Sequence, residues 1–286
     1  MKNYSRIIAI NGGAKTKAAM QLGSKIPVEG VRSRNLVIEV LKNDISFYNF
    51  GQEYNFDDAL AFNRYPTDTH FCGILLEYLN FKGHPLLNKS SLSYKRSTEK
   101  TAQMVRMAMH GLPVPHSLIV HKYMYQEQLP LIESKLNYPF VAKVDGIKGE
   151  KVAKIHNQDE LHTFLESVKQ IEIFICQEMI PNDGDIRILC TLGESLGAIK
   201  RTALPGEFLN NYAQGGSVEK YEPTPEEIEL AVKASKVNRF DIAGVDIMHT
   251  PTGPVLLEVN MGPGVSGFES VFGVNYVFST IGKKLS

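Results

Sequence analysis

The chain has 286 residues, with 31 basic and 31 acidic side chains and therefore no formal net charge. Balanced charge argues against a nucleic-acid-binding protein that depends on a large excess of positive charge. No apolar stretch approaches the roughly 20 residues of a membrane span, and the apolar N-terminal segment is too short for a signal peptide. Three cysteines without a CxxC spacing, two of them in apolar runs, predict buried thiols in a reducing compartment. We expect a soluble, cytoplasmic α/β protein with no membrane and no nucleic-acid partner.

The first third of the chain alternates short β-rich runs with a helical segment. An apolar helical period from Thr69 to Phe81, followed by Gly83, predicts a helix that ends at a glycine. Gly12-Gly13 lacks the rest of a dinucleotide-binding motif and is interpreted as a turn, with a nucleotide contact as the alternative. Together with the strands, the helix predicts a small open sheet with covering helices. Runs rich in Ile, Val and Phe predict the strands at 6–10, 36–41, 45–50 and 58–62.

The remainder of the chain predicts further helices and strands. A helix is expected from about 98 to 110, where apolar side chains recur at helical spacing. Two later helices begin at capping signals, Asn157 with Glu160 and Thr224 with Glu227. Short apolar runs predict strands at 117–120, 139–144, 151–155, 172–180, 186–192 and 196–202.

The segments 245–248 and 255–260 predict a β-hairpin around a Pro/Gly turn. Because side chains alternate faces along a strand, Glu258 and Asn260 share one face, and pairing about the turn brings Asp246 opposite Glu258. Two carboxylates among apolar neighbours repel each other, and a hard cation such as Mg²⁺ with oxygen ligands relieves that repulsion. The alternative interpretation is a hairpin with one solvated polar face.

A glycine-containing loop follows Lys143 at the end of a predicted strand. Gly146 and Gly149 allow backbone N–H groups to approach phosphate oxygens, and the lysine supplies a positive charge to the same anion. The segment from about 143 to 154 is therefore predicted to be a mobile flap over phosphates, with an ordinary strand–turn–strand as the alternative. Taken alone, other charged or polar residues are typical of exposed surface: Lys100, Asp185, Arg187, Arg201 and Asn211.

Taken in order, the sequence contains EKT (99–101), GLPVP (111–115), PFVAKVDGIKG (139–149), QEMI (177–180), GDIRILC (184–190), IKRTALPGEFLNNYAQGG (199–216), AGVDI (243–247) and LLEVNMGPGVSGFE (256–269). This series resembles the ATP-grasp superfamily and, within it, the RimK-like branch of carboxylate–amine ligases. The resemblance implies an α/β ATP-grasp fold, in which two α/β subdomains clasp ATP behind a small N-terminal Rossmann-like domain. The expected boundaries are 1–95 for the N-terminal domain, 96–180 for the subdomain with the phosphate flap, and 181–286 for the subdomain with the metal-binding hairpin.

The resemblance also implies roles for individual residues. Arg201 is expected to face the triphosphate and the acyl-phosphate, and Arg187 to act electrostatically nearby. Asp246, Glu258 and Asn260 match the family's Mg²⁺ ligands, and Mn²⁺ is an expected substitute. Nucleotide contacts are implied for Lys100, Lys143, Gly146, Gly149, Glu178, Met179, Ile180, Asp185 and Asn211.

Two positions weaken the match. Lys151 stands where close relatives carry a third glycine in the phosphate loop, and its longer, charged side chain is expected to change the contacts of that loop. In the N-terminal third, Arg64 alone is carried over, as a substrate contact, and a solvated arginine is the alternative there.

The implied activity is ATP-dependent formation of an amide bond through an acyl-phosphate, with release of ADP and phosphate. Catalysis of this kind depends on positioning and charge neutralisation more than on a side-chain nucleophile. The expected substrates are a carboxylate and an amine, with an amino acid added to a peptide, a protein or a small carboxylate. The alternatives are lactam closure within a peptide and a non-catalytic ATP-binding regulatory module. Relatives often form dimers or tetramers, so a homo-oligomer is an expected assembly.

Overall fold

The fold is given by a computed structural model. It describes residues 4–11, 14, 17, 21, 24, 26–42, 44–63, 69–87, 100–144, 152–168, 171–181, 183–191, 193–204, 216–238, 240, 242–260, 263–264, 266–273, 276–277 and 280. The helices are α1 (Thr69–Phe81), α2 (Lys100–Met109), α3 (Tyr125–Lys135), α4 (Gln158–Ser167), α5 (Pro225–Val237) and α6 (Ser266–Phe272). None of the helices in these ranges is long and apolar enough to cross a membrane.

The strands follow the chain from the N-terminal third to the closing hairpin. They are β1 (Arg6–Ile10), β2 (Val28–Val31), β3 (Leu36–Val40), β4 (Ile45–Asn49), β5 (Gln52–Tyr54), β6 (Ala59–Asn63), β7 (Leu86–Leu87), β8 (Ser117–His121), β9 (Phe140–Lys143), β10 (Val152–Ile155), β11 (Ile173–Glu178), β12 (Asp185–Thr191), β13 (Glu194–Thr202), β14 (Ser217–Tyr221), β15 (Ile242–Thr250) and β16 (Gly253–Asn260).

The chain divides into two compact units. The first contains Met1–Val105, His116–Asp145 and Lys151–Glu178, and the second contains Arg106–Pro115, Gly146–Glu150 and Met179–Ser286. The domain boundaries expected at 95/96 and 180/181 remain a prediction.

The first unit contains two sheets, which differ in strand direction. One is parallel, with the strand order β2-β1-β6-β7. The other is antiparallel, with the order β10-β9-β11-β8-β3-β4-β5. The prediction of one small open sheet for the first third is therefore wrong in part, because β3 and β4 leave β1 and β6 and extend the sheet that contains β8.

One hydrophobic core of the first unit lies between the antiparallel sheet and the helices α3 and α4. Leu131 and Ile132 of α3 and Leu161 and Leu165 of α4 pack against buried strand residues such as Phe174. As predicted, α4 begins after Asn157, whose Oδ1 accepts a hydrogen bond of 2.9 Å from the backbone N–H of Glu160. The sequence did not indicate α3, since Pro130 lies inside it and proline is unfavourable in a helix interior.

The second unit is built on a five-stranded antiparallel sheet, with the order β14-β13-β12-β15-β16. Helix α5 packs against β12, β13, β15 and β16. Its predicted start is confirmed as a complete capping box, because the Thr224 side chain accepts from the backbone N–H of Glu227 and the Glu227 carboxylate accepts from that of Thr224.

All three cysteines are buried, as expected from the apolar runs around Cys176 and Cys190. Burial raises the pKa of both thiols, that of Cys190 to about 11. These thiols are therefore protonated at neutral pH.

Candidate active site

The hairpin of β15 and β16 has the predicted register, with Asp246 opposite Glu258. A shift in the pairing between Asp246 and Ile247 produces this arrangement. If the register nearer the turn continued unbroken, Asp246 would lie opposite Leu257 and the Glu258 side chain would point to the other face. The bulge therefore aligns the two carboxylates, as bulges beside active sites commonly do.

Two arginines bind the Asp246 carboxylate. Arg187, its cross-strand neighbour on β12, donates from Nε to Oδ1 and from Nη2 to Oδ2, both at 2.6 Å. Arg201 of β13 reaches Asp246 Oδ2 with Nη2 at 2.9 Å and donates from Nε to Asp185 Oδ1 at 2.6 Å. The four residues form one network of two carboxylates and two guanidinium groups with no net charge, which we call the Asp–Arg network.

Burial makes the Asp–Arg network electrostatically important. Asp185, Arg201 and Asp246 each have less than a tenth of their surface exposed. Burial raises the pKa of Asp246, but attraction to Arg187 and Arg201 outweighs burial and brings that pKa down to about 2. For Asp185, burial and repulsion from Asp246 outweigh the attraction of Arg201 and Arg187 and raise its pKa to about 6. Asp246 is therefore charged at neutral pH.

The Asp–Arg network takes over part of the role that the sequence predicted for a cation. The apolar setting of the hairpin suggested that a cation relieves the repulsion between Asp246 and Glu258. Instead, Arg187 and Arg201 already balance the charge of Asp246. The repulsion expected between Asp246 and Glu258 is therefore reduced without a cation, and the assignment of a metal ion to these residues remains a prediction.

Two glycines, Gly184 and Gly244, lie close to the residues around the Asp–Arg network. A Cβ atom on Gly244 would lie 2.7 Å from Cβ of Pro263 and 3.4 Å from Cδ of Arg187. Gly184 has φ of +143°, and a Cβ there would lie 2.5 Å from the carbonyl oxygen of Arg201. A side chain at Gly244 would therefore displace Pro263, and one at Gly184 would displace the backbone of Arg201.

Glu258 and Asn260 continue the polar face of the hairpin. Asn260 Nδ2 donates to Glu258 Oε1 at 2.8 Å and lies 3.5 Å from Asp246 Oδ2. No cluster of three or more His, Cys, Asp or Glu side chains suited to a metal occurs in the described ranges; the predicted set offers two carboxylates and one amide. Oxygen donors of this kind are those that Mg²⁺ prefers, so the residues fit the predicted ion.

A second group of predicted residues lies in the first unit. Lys143, at the end of β9, donates from Nζ to Gln177 Oε1 at 2.5 Å. The amide of Gln177 is itself oriented, since its Nε2 donates to Ser117 Oγ at 2.9 Å. Sequence reasoning missed Gln177; the signal was a polar residue inside the apolar run IFICQ, at a strand position that is 4% exposed.

Glu178 ends β11, and its carboxylate is held in place by the backbone. Its Oε1 accepts from the backbone N–H of His116 at 2.8 Å, and its own backbone N–H donates to the His116 carbonyl at 2.9 Å. Met179 and Ile180 follow directly, both half-buried.

Lys100 is the first residue of α2. The other predicted site residues lie outside the described ranges: Arg64, Gly146, Gly149 and Asn211, together with Gly12-Gly13, Lys151 and the centre of the predicted flap.

Comparisons with known proteins identify sequences similar to this chain. A family model described as the RimK-like ATP-grasp domain matches residues 97–282. A probable alpha-L-glutamate ligase of Aeromonas salmonicida (strain A449) is 32% identical over 257 residues, which cover 86% of this chain and 83% of that protein. The ribosomal protein bS6–L-glutamate ligase of Escherichia coli O139:H28 (strain E24377A / ETEC) is 31% identical over 189 residues, 65% of this chain and 62% of that protein.

The fold has counterparts among solved structures. A D-alanine–D-alanine ligase from Bacillus anthracis superimposes with a TM-score of 0.51 at 16% identity, covering 96% of this chain and 92% of that one. At this identity, the likeness concerns the fold alone, and it is the ATP-grasp fold that the sequence predicted.

Proposed function

The chain belongs to the RimK-like ATP-grasp family, and on that premise we propose that it joins an amino acid to a carboxylate group of a peptide or protein. Family membership makes the chain an ATP-dependent ligase of the carboxylate–amine class. The substrates in the names of two relatives, L-glutamate and ribosomal protein bS6, support the choice of an amino acid as amine and of a polypeptide as acceptor.

The proposed reaction has two steps. A carboxylate oxygen of the acceptor attacks the γ-phosphorus of ATP, and ADP leaves. The amine of the amino acid then attacks the acyl carbon, the bond from that carbon to the phosphate oxygen breaks, and the amide and inorganic phosphate are released. Neither step needs a side-chain nucleophile, so the protein contributes position and charge.

The convergence of charged side chains on one face of the five-stranded sheet is the observation that carries the assignment of roles. Arg201 is proposed to bind the transferred phosphoryl group, and Arg187 to hold Asp246 in place through their paired hydrogen bonds. Because Asp185 and Asp246 together balance the two guanidinium groups, a phosphate that binds Arg201 replaces an existing anionic partner. No buried cation then has to be desolvated when the nucleotide arrives.

We assign a cation site to Asp246, Glu258 and Asn260. Mg²⁺ bound there would neutralise charge on the phosphates during transfer. Mn²⁺, another hard cation with oxygen ligands, is expected to substitute.

The remaining nucleotide contacts are proposed residue by residue from the family resemblance. Lys143, aligned by Gln177, would bind phosphate, and Lys100 a second phosphate oxygen. Glu178, Met179 and Ile180 would hold adenine, and Asp185 would contact ribose. The contacts proposed for Gly146, Gly149 and Asn211 follow from the family resemblance.

The cellular location and the oligomeric state of the enzyme are also proposed. The buried thiols support a reducing, cytoplasmic location. A homo-oligomer is proposed from the family resemblance, and light scattering of the purified protein tests it.

A substrate screen tests the function. Purified protein is incubated with Mg-ATP and with the standard amino acids, singly, in the presence of short peptides, while ADP is measured and products are weighed by mass spectrometry. We expect ADP to form when amino acid and peptide are both present, and a product with the summed mass minus one water. AMP and pyrophosphate as stoichiometric products would overturn the acyl-phosphate reaction. A dehydrated peptide formed without added amine would support lactam closure instead.

Adjacent residues of β13 provide a matched pair of variants. Arg201→Met removes the proposed phosphoryl contact and is expected to lower ADP formation by orders of magnitude. Lys200→Met removes a cation one residue away, on the opposite face of the strand, where it binds the exposed Asp183 at 2.7 Å; wild-type turnover is expected. Equal losses in both variants would refute the role of Arg201.

A further inference from the structure

A buried carboxylate in the first unit has no role in the reaction described above. Glu39 of β3 is 3% exposed. Its Oε1 lies 2.7 Å from Nε2 of His116, and its Oε2 accepts from the Tyr48 hydroxyl at 2.7 Å. Lys135 Nζ lies 3.3 Å from the same Oε2 and donates to the Tyr48 hydroxyl at 2.6 Å. Burial raises the pKa of Glu39, but hydrogen bonds from Tyr48, His116 and Lys135 outweigh it and leave the pKa below its usual range.

His116 connects this carboxylate to the end of β11. Its side chain contacts Glu39, while its backbone N–H and carbonyl both bond to Glu178. Strand β8, which begins at the next residue, pairs with β3 on one side and β11 on the other. The path therefore runs from Glu39 through His116 to Glu178, all within the first unit.

We propose that His116 is a positioning residue for the nucleotide: anchored by Glu39, it fixes the end of β11 at the place where adenine binds. The inference rests on the proposed function, because the adenine site is assigned there to Glu178, Met179 and Ile180.

The physical basis is preorganisation. Glu39 is fixed by two further partners, Tyr48 and Lys135, so it holds the imidazole from a rigid base. Without the imidazole, Glu178 keeps its bonds to the His116 backbone, but the contact of residue 116 with Glu39 of β3 is lost. ATP then has to order this segment as it binds, and that ordering reduces affinity. Adenine contacts are alike in the ground state and the transition state, so KM changes while kcat does not.

The test compares variants that remove different partners of the same carboxylate. His116→Ala removes the connection to β11. Lys135→Met removes a cation that binds Glu39 but does not bond to Glu178. Glu39 keeps the hydrogen bond from the Tyr48 hydroxyl, so this variant serves as the matched control. His116→Gln replaces the imidazole by an amide that can donate to Glu39. Thermal denaturation of each variant identifies a temperature at which all of them are folded, and the measurements are made at that temperature.

The readouts are the Kd for the ATP analogue AMP-PNP, by calorimetry, and kcat and KM for ATP. His116→Ala is expected to raise both Kd and KM roughly tenfold, which corresponds to about 1.4 kcal/mol, with kcat unchanged. Lys135→Met should change Kd less than about twofold, and His116→Gln should recover most of the wild-type affinity.

The outcomes separate the inference from the function on which it rests. Equal losses of affinity in His116→Ala and Lys135→Met would mean that the cluster around Glu39 only stabilises the fold, and would overturn the inference. So would normal affinity in His116→Ala. Wild-type protein that fails to bind AMP-PNP would overturn the proposed function as well.

Discussion

Removal of Arg187 measures how much the Asp–Arg network contributes to the free energy of unfolding. In Arg187→Met, Asp246 loses both 2.6 Å bonds from Arg187 and keeps Arg201 at 2.9 Å. The network changes from neutral to one net negative charge, at a carboxylate whose side chain is 4% exposed. Removing one partner of a buried ion pair costs about 3–5 kcal/mol. Because Arg201 remains, we expect a loss near the lower limit, about 3 kcal/mol of the free energy of unfolding.

Urea denaturation at neutral pH, followed by circular dichroism, measures this loss. A double variant distinguishes the effect of the unpaired charge from the effect of lost packing. Arg187→Met with Asp246→Asn should be more stable than Arg187→Met alone, because the carboxylate that lost its partner is absent. Lys200→Met, at an exposed pair on the neighbouring strand, should leave the urea midpoint unchanged. A loss below about 1 kcal/mol in Arg187→Met, as is typical of exposed pairs, or a less stable double variant, would refute the reasoning.

Three further predictions concern packing, ionisation and the thiols. Gly244→Ala places a methyl group against Pro263 and Arg187. It should lower the free energy of unfolding, measured by thermal denaturation, by about 1–3 kcal/mol, and it should slow ADP release. A melting temperature equal to that of the wild type would contradict the close approach. The pKa of Glu39 lies below its ordinary value of 4.5, so its charge stabilises the fold above that value and this stabilisation is lost as the pH falls through the lower native pKa. Wild type should therefore lose more stability than Glu39→Gln from about pH 5 to about pH 3, and parallel curves would exclude the effect. The three buried cysteines should react with a thiol reagent only after unfolding, and rapid reaction of native protein would show that a thiol is accessible.

Local patterns in the sequence were sufficient for elements whose partners lie nearby in the chain. The capping residues Asn157 and Thr224 mark the starts of their helices because the bonds involved span three residues. The turn and the alternation of side chains predicted the pairing of Asp246 with Glu258, although they did not predict the bulge between Asp246 and Ile247 that produces it.

Pairings between distant segments were not predictable in the same way. Nothing in the composition of β3 indicates that it pairs with β8, about 80 residues later in the chain, and not with β1. The sequence also suggested that Arg187 lies near the site, but not that it binds Asp246, because that contact depends on the register of β12 against β15. Gln177 was missed for a related reason. The role of a polar residue in a buried strand can be recognised only when its partner is known, and here the partner is Lys143 on another strand.

The acyl-phosphate reaction can be tested most directly with an isotope. The acceptor found by the substrate screen is labelled with ¹⁸O in its carboxylate, and the products of one turnover are analysed by mass spectrometry. Transfer of the γ-phosphoryl group to that carboxylate predicts one ¹⁸O atom in each inorganic phosphate released, with unlabelled ADP. Label in AMP would show activation by adenylation, and unlabelled phosphate would show hydrolysis of ATP without activation of the acid; either result would contradict the proposed ligase reaction.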